Sequence, residues 1–291
     1  MTIPILLGAG FNVDASREVG ALATVRYPLI KDLGRACFGI SENDSIDSIE
    51  ERFQKAIEAK DSGPISRLVD LVMEADYYLV PHLAPGGALE RNLYSQFLND
   101  FETNQILTFN YDSFVELLLF KRGKWRPEDG FGVPVQAEIV AHLVKPPILP
   151  EVSRQVVLHL HGTCCVYPIE ISIESRPESF DLLRLRDEPL FVFDPERLGS
   201  LFLPFTHAAG LAYRHVEERI IAPVPSKAAG LSGEFVKRVY ERARKLLGSS
   251  SQVVCIGYSF NEHDRESHEL LMGSMKGCQA IVVAPDALTT A

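Results

Sequence analysis

The sequence predicts an α/β fold in which a doubly wound parallel sheet carries an inserted, mainly helical small module. Short apolar runs alternate with helical patterns over most of the 291 residues, as is typical of parallel sheets covered on both faces. Between residues 41 and 101, three helical patterns follow one another with no strand between them, whereas a simple crossover needs one helix. We therefore expect a sheet domain formed by residues 1–40 and 102–291, and a helical module at 41–101.

The first element boundaries follow from apolar periodicity and from the residues that interrupt it. The first strand spans Ile3 to Leu7, and a helix runs from about Leu29 to Phe38 with Gly39 as its stop signal. In the module, Ser-Gly-Pro and Pro-Gly-Gly breaks separate three amphipathic patterns. These patterns are IDSIEERFQKAIEA, PISRLVDLVMEADYYLV and ALERNLYSQFLNDF.

Apolar runs return after the module and predict the remaining strands. They lie at residues 105–110, 154–162, 218–225, 251–259 and 280–285. The helices predicted among them are SFVELLLF, GEFVKRVYERARKLL and NEHDRESHELLMGSM. Residues 165–213 begin with the strand-like CVYPIEISI and become charged and interrupted by prolines, so we expect a flap or a second small insertion there.

The charge pattern favours a small-molecule ligand over nucleic acid. Lys and Arg number 29 against 39 Asp and Glu, and the basic residues are scattered, so we expect no direct contact with nucleic acid. The first residues lack the basic start and apolar length of a signal peptide, and no run of about 18 apolar residues follows. We predict a cytoplasmic protein that makes no membrane contact.

The cysteines and histidines do not form a metal-binding pattern. The five cysteines are an odd number without a Cys-x-x-Cys pair, which is typical of a reduced compartment. Adjacent Cys164 and Cys165 suit core thiols better than two ligands of one zinc ion. His263 and His268 lie off the same-face helical spacing, and we expect the charged residues around them to form a solvated helix face. We therefore predict no metal.

Four predicted strands end in unusual polar or glycine residues, namely Gly8-Ala9-Gly10, Asn110-Tyr111-Asp112, His161-Gly162 and Gly257-Tyr258-Ser259. In an open parallel sheet, the ligand binds in the crevice outside the carboxyl ends of the strands. We therefore expect these strand ends to converge on one ligand site. His161 stands where an imidazole can exchange protons with a ligand, whereas His159, inside the apolar strand, is expected to be structural.

Each strand end also has a structural interpretation. Gly8 and Gly10 suit a tight strand-to-helix turn without any ligand. Asp112 suits an N-cap of the following helix, and Asn110 suits an Asx turn. Ligand binding is favoured because the four polar ends occur together.

The ordered set LLGAGFNVDAS, LTFNYD, LHLHG and VVCIGYSFNEHD resembles the sirtuin-like family, and its bacterial NAD-consuming branch more than the protein deacylases. YPLIKDL after the glycine turn and IIAPVPSK before the last strand–helix unit add to the likeness, which spans residues 5 to 285. The resemblance implies a Rossmann-like sheet. It also implies a zinc-independent site, because the helical module replaces the four-cysteine zinc module of the deacylases.

The resemblance assigns a role to each strand end. The residues that would contact NAD are Gly8, Ala9, Gly10, Asn12, Asp14, Tyr111, Asp112, Gly257, Tyr258 and Ser259. The glycine turn would hold the diphosphate, and Asp112 the nicotinamide amide. Asn110 would position the nicotinamide ribose or the attacking water, and His161 would be the catalytic histidine. The adenosine end would lie near residues 284–286.

The loop after the glycine turn departs from the family pattern. Asn12 stands about where the family has a serine, and the family's proline-aspartate-phenylalanine-arginine loop is absent. The candidates to replace it are Asp14, Arg17 and Arg26. This departure, with the missing zinc module, argues against protein deacylation.

The implied function is that of an NAD glycohydrolase, which cleaves the nicotinamide–ribose bond to give nicotinamide and ADP-ribose. The resemblance sets this activity in bacterial antiviral defence by NAD depletion. Two alternatives stay open: a non-catalytic NAD or ADP-ribose sensor that signals by assembly, and a protein deacylase or ADP-ribosyltransferase. Because a depleting enzyme must be regulated, we expect a homo-oligomer or a separate regulatory partner protein.

Overall fold

A computed structural model describes most of the sheet and the first helices of the chain. The described residues are 3–12, 27–41, 43–79, 96–97, 100, 105–134, 136–137, 151–164, 166–169, 190–193, 220–225, 227, 234–258 and 264–283. In chain order, the strands are β1 (Ile5–Leu7), β2 (Ile106–Thr108), β3 (Gln136–Ala137), β4 (Val157–His159), β5 (Val166–Ile169), β6 (Leu190–Phe193), β7 (Gln252–Ile256) and β8 (Gln279–Val283). The helices are α1 (Ile30–Phe38), α2 (Ile46–Glu58), α3 (Gly63–Leu79), α4 (Phe114–Lys121), α5 (Pro127–Gly130), α6 (Glu234–Gly248) and α7 (Arg265–Ser274).

The main sheet has five strands, all parallel, in the order β4-β2-β1-β7-β8. At its centre, Leu6 of β1 is in register with Leu107 on one side and Cys255 on the other. The chain moves outward from β1 through β2 to β4 and then returns to the opposite side of β1 with β7. The strand order therefore reverses between β1 and β7, where an open parallel sheet forms a ligand crevice.

The sheet core explains why the central strands are so apolar. Every residue of β1, β2 and β4 is buried. Helices α4, α6 and α7 contribute Leu119, Val239 and Leu270 to the same cluster. Buried parallel strands must be apolar along their whole length because both faces are covered. None of the described helices is long and apolar enough to cross a bilayer.

A second apolar cluster joins the first helices to the sheet. Phe53 of α2 and Leu68 of α3 are fully buried in it. The same cluster contains Cys164 and Ile220, which lie in loops that follow β4 in the chain. Helix α1 ends as predicted at Gly39, whose φ of 63° is the left-handed conformation of a glycine C-cap. Helices α1 to α3 are thus packed onto loops of the sheet.

The structure confirms an α/β fold with a parallel sheet flanked by helices, and it corrects one strand. The predicted strand at 218–225 forms only an isolated bridge between Ile220 and Gly162 within its described part. Pro223 and Pro225 lack the backbone N–H groups that a ladder needs, which explains why this apolar run is not a strand. Residues 166–169 form β5, in a second sheet of order β3-β6-β5.

Other fold predictions lie largely outside the described residues. These are the third helix of the module and most of the segment 165–213. The division into a sheet domain and a helical module stays a prediction.

We predict that Gly8→Ala destabilises the fold. A Cβ at this position would lie 2.3 Å from the backbone oxygen of Gly257, so two strand ends would have to separate. Overpacking of this kind costs about 3 kcal/mol. Urea denaturation measures the free energy of unfolding.

The matched control is Gly273→Ala, whose Cβ meets nothing within 4 Å on α7. In a helix this change is expected to be neutral or to stabilise by up to about 1 kcal/mol. Equal free energies of unfolding for Gly8→Ala and the unchanged protein would contradict the close approach of the two strand ends.

Candidate ligand site at the carboxyl ends of the strands

The glycine turn after β1 packs directly against the end of β7. The Gly8 N–H donates to the oxygen of Ile256 at 2.9 Å, and the Gly10 N–H donates to the oxygen of Gly257 at 3.1 Å. Gly257 has a φ of 63°, and a Cβ there would lie 2.4 Å from the Phe11 nitrogen. Close backbone packing therefore requires these glycines. Two amides expected near a diphosphate are already bonded within the protein.

Asn110 follows β2 and is fixed against the same turn. Its side-chain Nδ2 donates to the oxygen of Gly8 at 3.3 Å, and its backbone N–H donates to Thr108 Oγ1 at 3.0 Å. His159 Nδ1 donates to the backbone oxygen of Asn110 at 2.8 Å, and His159 Nε2 contacts the Glu116 carboxylate. His159 is thus the structural histidine that the sequence predicts. Burial lowers its pKa but the Glu116 carboxylate outweighs burial, so the net pKa shift is upward.

Asp112 and Asn12 form a buried pair. Asn12 Nδ2 donates to Asp112 Oδ2 at 2.5 Å, and the other carboxylate oxygen accepts the N–H of Phe114 at 3.1 Å. Asp112 therefore supports the start of α4, although the N-cap of that helix is Ser113, and it also holds Asn12. Asn12 Oδ1 is buried and accepts no hydrogen bond from the described residues. A buried acceptor left in this state costs about 1–3 kcal/mol unless a donor reaches it.

His161, at the end of β4, lies in a buried polar cluster. Its Nε2 is 3.1 Å from Lys227 Nζ, 3.2 Å from Asp264 Oδ2 and 3.1 Å from Ser267 Oγ. Lys227 Nζ also contacts Asp264 Oδ2 directly. Asp264 is the N-cap of α7, and its Oδ1 accepts the Ser267 N–H at 3.2 Å.

Burial and the charges of this cluster together determine the protonation of His161. Burial and the neighbouring Lys227 ammonium lower the pKa of His161 to about 4. Burial alone would raise the pKa of Asp264, but the hydrogen bond from His161 and the charge of Lys227 outweigh it and lower that pKa. Burial likewise lowers the pKa of Lys227, against the attraction of Asp264. At pH 7, His161 is neutral and Asp264 is ionised.

Aromatic rings join the ends of three strands, β4, β2 and β7. Phe109 lies between His161, with ring centroids 4.8 Å apart, and Tyr258, on which it stacks at 4.7 Å. The Tyr111 hydroxyl donates to the oxygen of Ile221 at 2.6 Å. The Tyr111 hydroxyl is therefore engaged within the protein.

A cavity of about 160 Å³ lies over these strand ends. Its polar lining includes Asn12, Asn110, Asp112 and His161, and Ala9 of the glycine turn lines it as well. The opposite wall is apolar and comes from the segment that contains α1, from α3, and from Phe109, with Tyr27, Pro28, Leu29, Ile30, Leu33 and Val72 as its main residues. The cavity thus combines four polar side chains with an apolar wall.

Several predicted site residues lie outside the described part of the chain. These are Asp14, Arg17, Arg26, Ser259 and residues 284–286. The predicted site residues that the structure describes lie at adjoining strand ends. Gly257 packs against the glycine turn, and Tyr258 stacks on Phe109. Within the described residues, no group of three His, Cys, Asp or Glu side chains is placed to hold a metal ion.

Sequence reasoning missed Lys227 and Asp264. The expectation of a solvated helix face around His263 and His268 is wrong for Asp264, which is 7% exposed and ion-paired. The sequence held a signal for Asp264, because an aspartate just before a helical pattern suits an N-cap whose side chain accepts the N–H three residues later, here that of Ser267. Lys227 carried a weaker signal, as a lone lysine at the end of an apolar, proline-interrupted run.

Comparisons with protein-family models and with curated proteins found no significant match to this chain. The sirtuin-like resemblance therefore rests on the motifs themselves.

We predict that acid destabilises the fold through His161. Its ordinary pKa is 6.5 and its folded pKa is about 4, so between these values the unfolded chain binds more protons and stability falls as pH falls. Because the folded protein keeps His161 neutral while the unfolded chain protonates it, the free energy of unfolding falls by about 3 kcal/mol across this window. Urea denaturation at several pH values measures this change in the free energy of unfolding.

His161→Phe removes the titrating group and is expected to flatten this dependence between pH 6.5 and 4. The exposed His268, changed to Phe, is the matched control and leaves the dependence in place. The shifts of Asp264 and His159 act below pH 3.8 and above pH 6.5 respectively, outside the window. An unchanged pH slope in His161→Phe would contradict the burial of a neutral His161.

Proposed function

We propose that the chain is an NAD glycohydrolase that cleaves the nicotinamide–ribose bond of NAD. The observation that carries the proposal is the cavity of about 160 Å³ over the ends of β1, β2 and β4, lined by Asn110, Asp112 and His161. The order β4-β2-β1-β7-β8 supports the Rossmann-like part, because it equals 3-2-1-4-5 when the five sheet strands are numbered along the chain. The motif resemblance to sirtuin-like proteins points to the same ligand.

The cavity has the size of one ring rather than of a whole dinucleotide. A protein cavity of about 150 Å³ is sufficient for benzene. We therefore place the nicotinamide ring inside, against the apolar wall, with the rest of NAD extending across the glycine turn. Asn12 Oδ1, which has no partner among the described residues, and the Asp112 carboxylate are acceptors for the N–H groups of the nicotinamide amide.

The reaction needs a fixed ribose and an activated nucleophile. The bond from ribose C1′ to the pyridinium nitrogen breaks through an oxocarbenium-like state, and its electron pair leaves with neutral nicotinamide. Because Asn110 Nδ2 is bonded to Gly8, the amide plane is fixed and Oδ1 is the atom that can accept from water or a ribose hydroxyl. His161 is neutral at pH 7 and can take the proton of the attacking water.

One observation favours a binding module over an enzyme. The amides of Asn110 and Asn12 and both oxygens of Asp112 already have protein partners, as expected of a rigid scaffold that binds NAD or ADP-ribose without turnover. The enzyme is favoured because a neutral, buried imidazole beside the cavity is a base that simple binding does not need. A protein deacylase or ADP-ribosyltransferase would need an additional acceptor groove. Antiviral defence by NAD depletion, with regulation by self-assembly or a partner, extends the proposal through the resemblance alone.

We expect purified protein to release nicotinamide from NAD. His161→Ala should lower kcat by about 10²- to 10⁴-fold, as loss of a general base does. Asn110→Ala should lower it by about 100-fold through misplacement of the ribose or water. Chromatographic quantification of nicotinamide measures the rate, and His268→Ala serves as the control histidine.

Each alternative has its own outcome in this assay. Tight NAD binding without release, at every protein concentration and oligomeric state tested, would contradict the enzyme and support the binding module. Release that persists in both variants would show that the site residues are wrong. Release that occurs only with an acylated peptide would support a deacylase instead.

A further inference from the structure

The polar cluster beneath His161 engages only one of its two ring nitrogens. Lys227 Nζ, Asp264 Oδ2 and Ser267 Oγ all lie within 3.2 Å of Nε2. Among the described residues, none donates to or accepts from Nδ1. These three partners are also not among the residues that line the cavity, whereas His161 is. The Nε2 edge of the ring therefore faces the cluster.

A neutral imidazole carries one ring hydrogen, so the cluster must select a tautomer. If Nε2 carried no hydrogen, it could accept from the Lys227 ammonium or from Ser267 at 3.1 Å, but its lone pair would also face the ionised Asp264 oxygen at 3.2 Å, which can only accept. If Nε2 carries the hydrogen, it donates to that oxygen, which the Lys227 ammonium also contacts. Each charged partner then has a hydrogen-bonding role, as a buried ion pair requires.

We propose that Asp264 holds His161 as the Nε2–H tautomer, with Lys227 fixing the carboxylate, so that Nδ1 is the nitrogen that accepts the proton of the attacking water. Asp264 and Lys227 are positioning residues, because they act through His161. The inference rests on the proposed function only for the identity of the proton donor.

Other groups around the cluster support this arrangement. Glu266 Oε1 accepts the backbone N–H of Lys227 at 3.0 Å, which ties that residue to the start of α7. The carboxylates of Glu50 and Glu266 add negative charge around Lys227. Among the described residues, the Tyr111, Tyr240 and Tyr258 hydroxyls also interact with Asp264, and burial raises the pKa of all three. The neighbours thus favour a charged Lys227 and leave Asp264 as the carboxylate that faces His161.

The tautomer can be observed directly without any enzymatic activity. In protein labelled with ¹⁵N-histidine, two-bond ¹H–¹⁵N correlations distinguish Nε2–H from Nδ1–H, and His161→Ala identifies the signal of His161. We expect Nε2–H in the unchanged protein. An Nδ1–H signal there would overturn the proposal, whether or not NAD is cleaved.

Asp264→Asn tests the cause of the preference. In asparagine the carbonyl oxygen takes the place of Oδ1 and still accepts the Ser267 N–H, so the N-cap of α7 is kept, and the NH₂ that replaces Oδ2 donates to His161 Nε2. The ring is therefore expected to switch to Nδ1–H, with kcat for NAD hydrolysis reduced by about 10²- to 10⁴-fold. Glu269→Gln, an exposed carboxylate on the same helix, leaves tautomer and rate unchanged. Retention of Nε2–H in Asp264→Asn would overturn the role of Asp264.

Lys227→Met gives an independent readout. Without the ammonium, the Asp264 carboxylate alone faces His161, so the ¹⁵N titration midpoint of His161 should rise above about 4. Exposed Lys237, changed to Met, leaves the midpoint in place. An unmoved midpoint in Lys227→Met would overturn the role of Lys227. If the tautomer and the titration midpoint of His161 are as expected but the protein never releases nicotinamide, only the proposed function is contradicted.

Discussion

The backbone contact between the ends of β1 and β7 is the constraint on which the site depends. Gly10 donates to Gly257, and no side chain fits between Gly8 and the Gly257 oxygen. Because β1 is the central strand, this contact fixes where the glycine turn lies relative to both halves of the sheet. Asn110 is then placed by its own bond to the oxygen of Gly8. The position of Asn110 thus follows from a backbone approach that only glycine permits.

The two sides of the site use polar groups differently. On the Asn12 and Asp112 side, amide and carboxylate groups bind each other, and the buried Asn12 Oδ1 accepts no hydrogen bond from the part of the chain that the structure describes. On the His161 side, an ion pair lies against one ring nitrogen, and burial together with the Lys227 charge lowers the pKa of the imidazole and keeps it neutral. One side is suited to recognise an amide and the other to move a proton. A glycohydrolase of NAD needs both properties within one ring-sized cavity.

Five of the predicted strands are confirmed in the parallel sheet because their signal is local. Leu6, Leu107 and Leu158 each lie in a short apolar run, and burial on both faces requires such runs in a parallel strand. The same signal was misleading at Ile220 and Ile221, where neighbouring prolines remove the donors of a ladder. Apolar character alone does not distinguish a buried strand from a buried loop.

The ion pair was missed because its partners are distant in sequence. Nothing near Lys227 in the chain indicates Asp264, and the charged residues around Asp264 resemble an exposed helix start. Their pairing depends on how the loop after Ile221 meets α7, which is a tertiary property. His161 carried a signal of its own, because a histidine after an apolar strand and before a glycine is recognisable without knowledge of its neighbours.

The most direct test of the central claim is a crystal structure of Asn110→Ala soaked with NAD, since the slowed variant should retain intact substrate. The expected result is a nicotinamide ring in the cavity between Leu33 and Asp112, with ribose C1′ facing His161. NAD bound with its nicotinamide ring outside this cavity, or no NAD at these strand ends at saturating concentration, would contradict the claim.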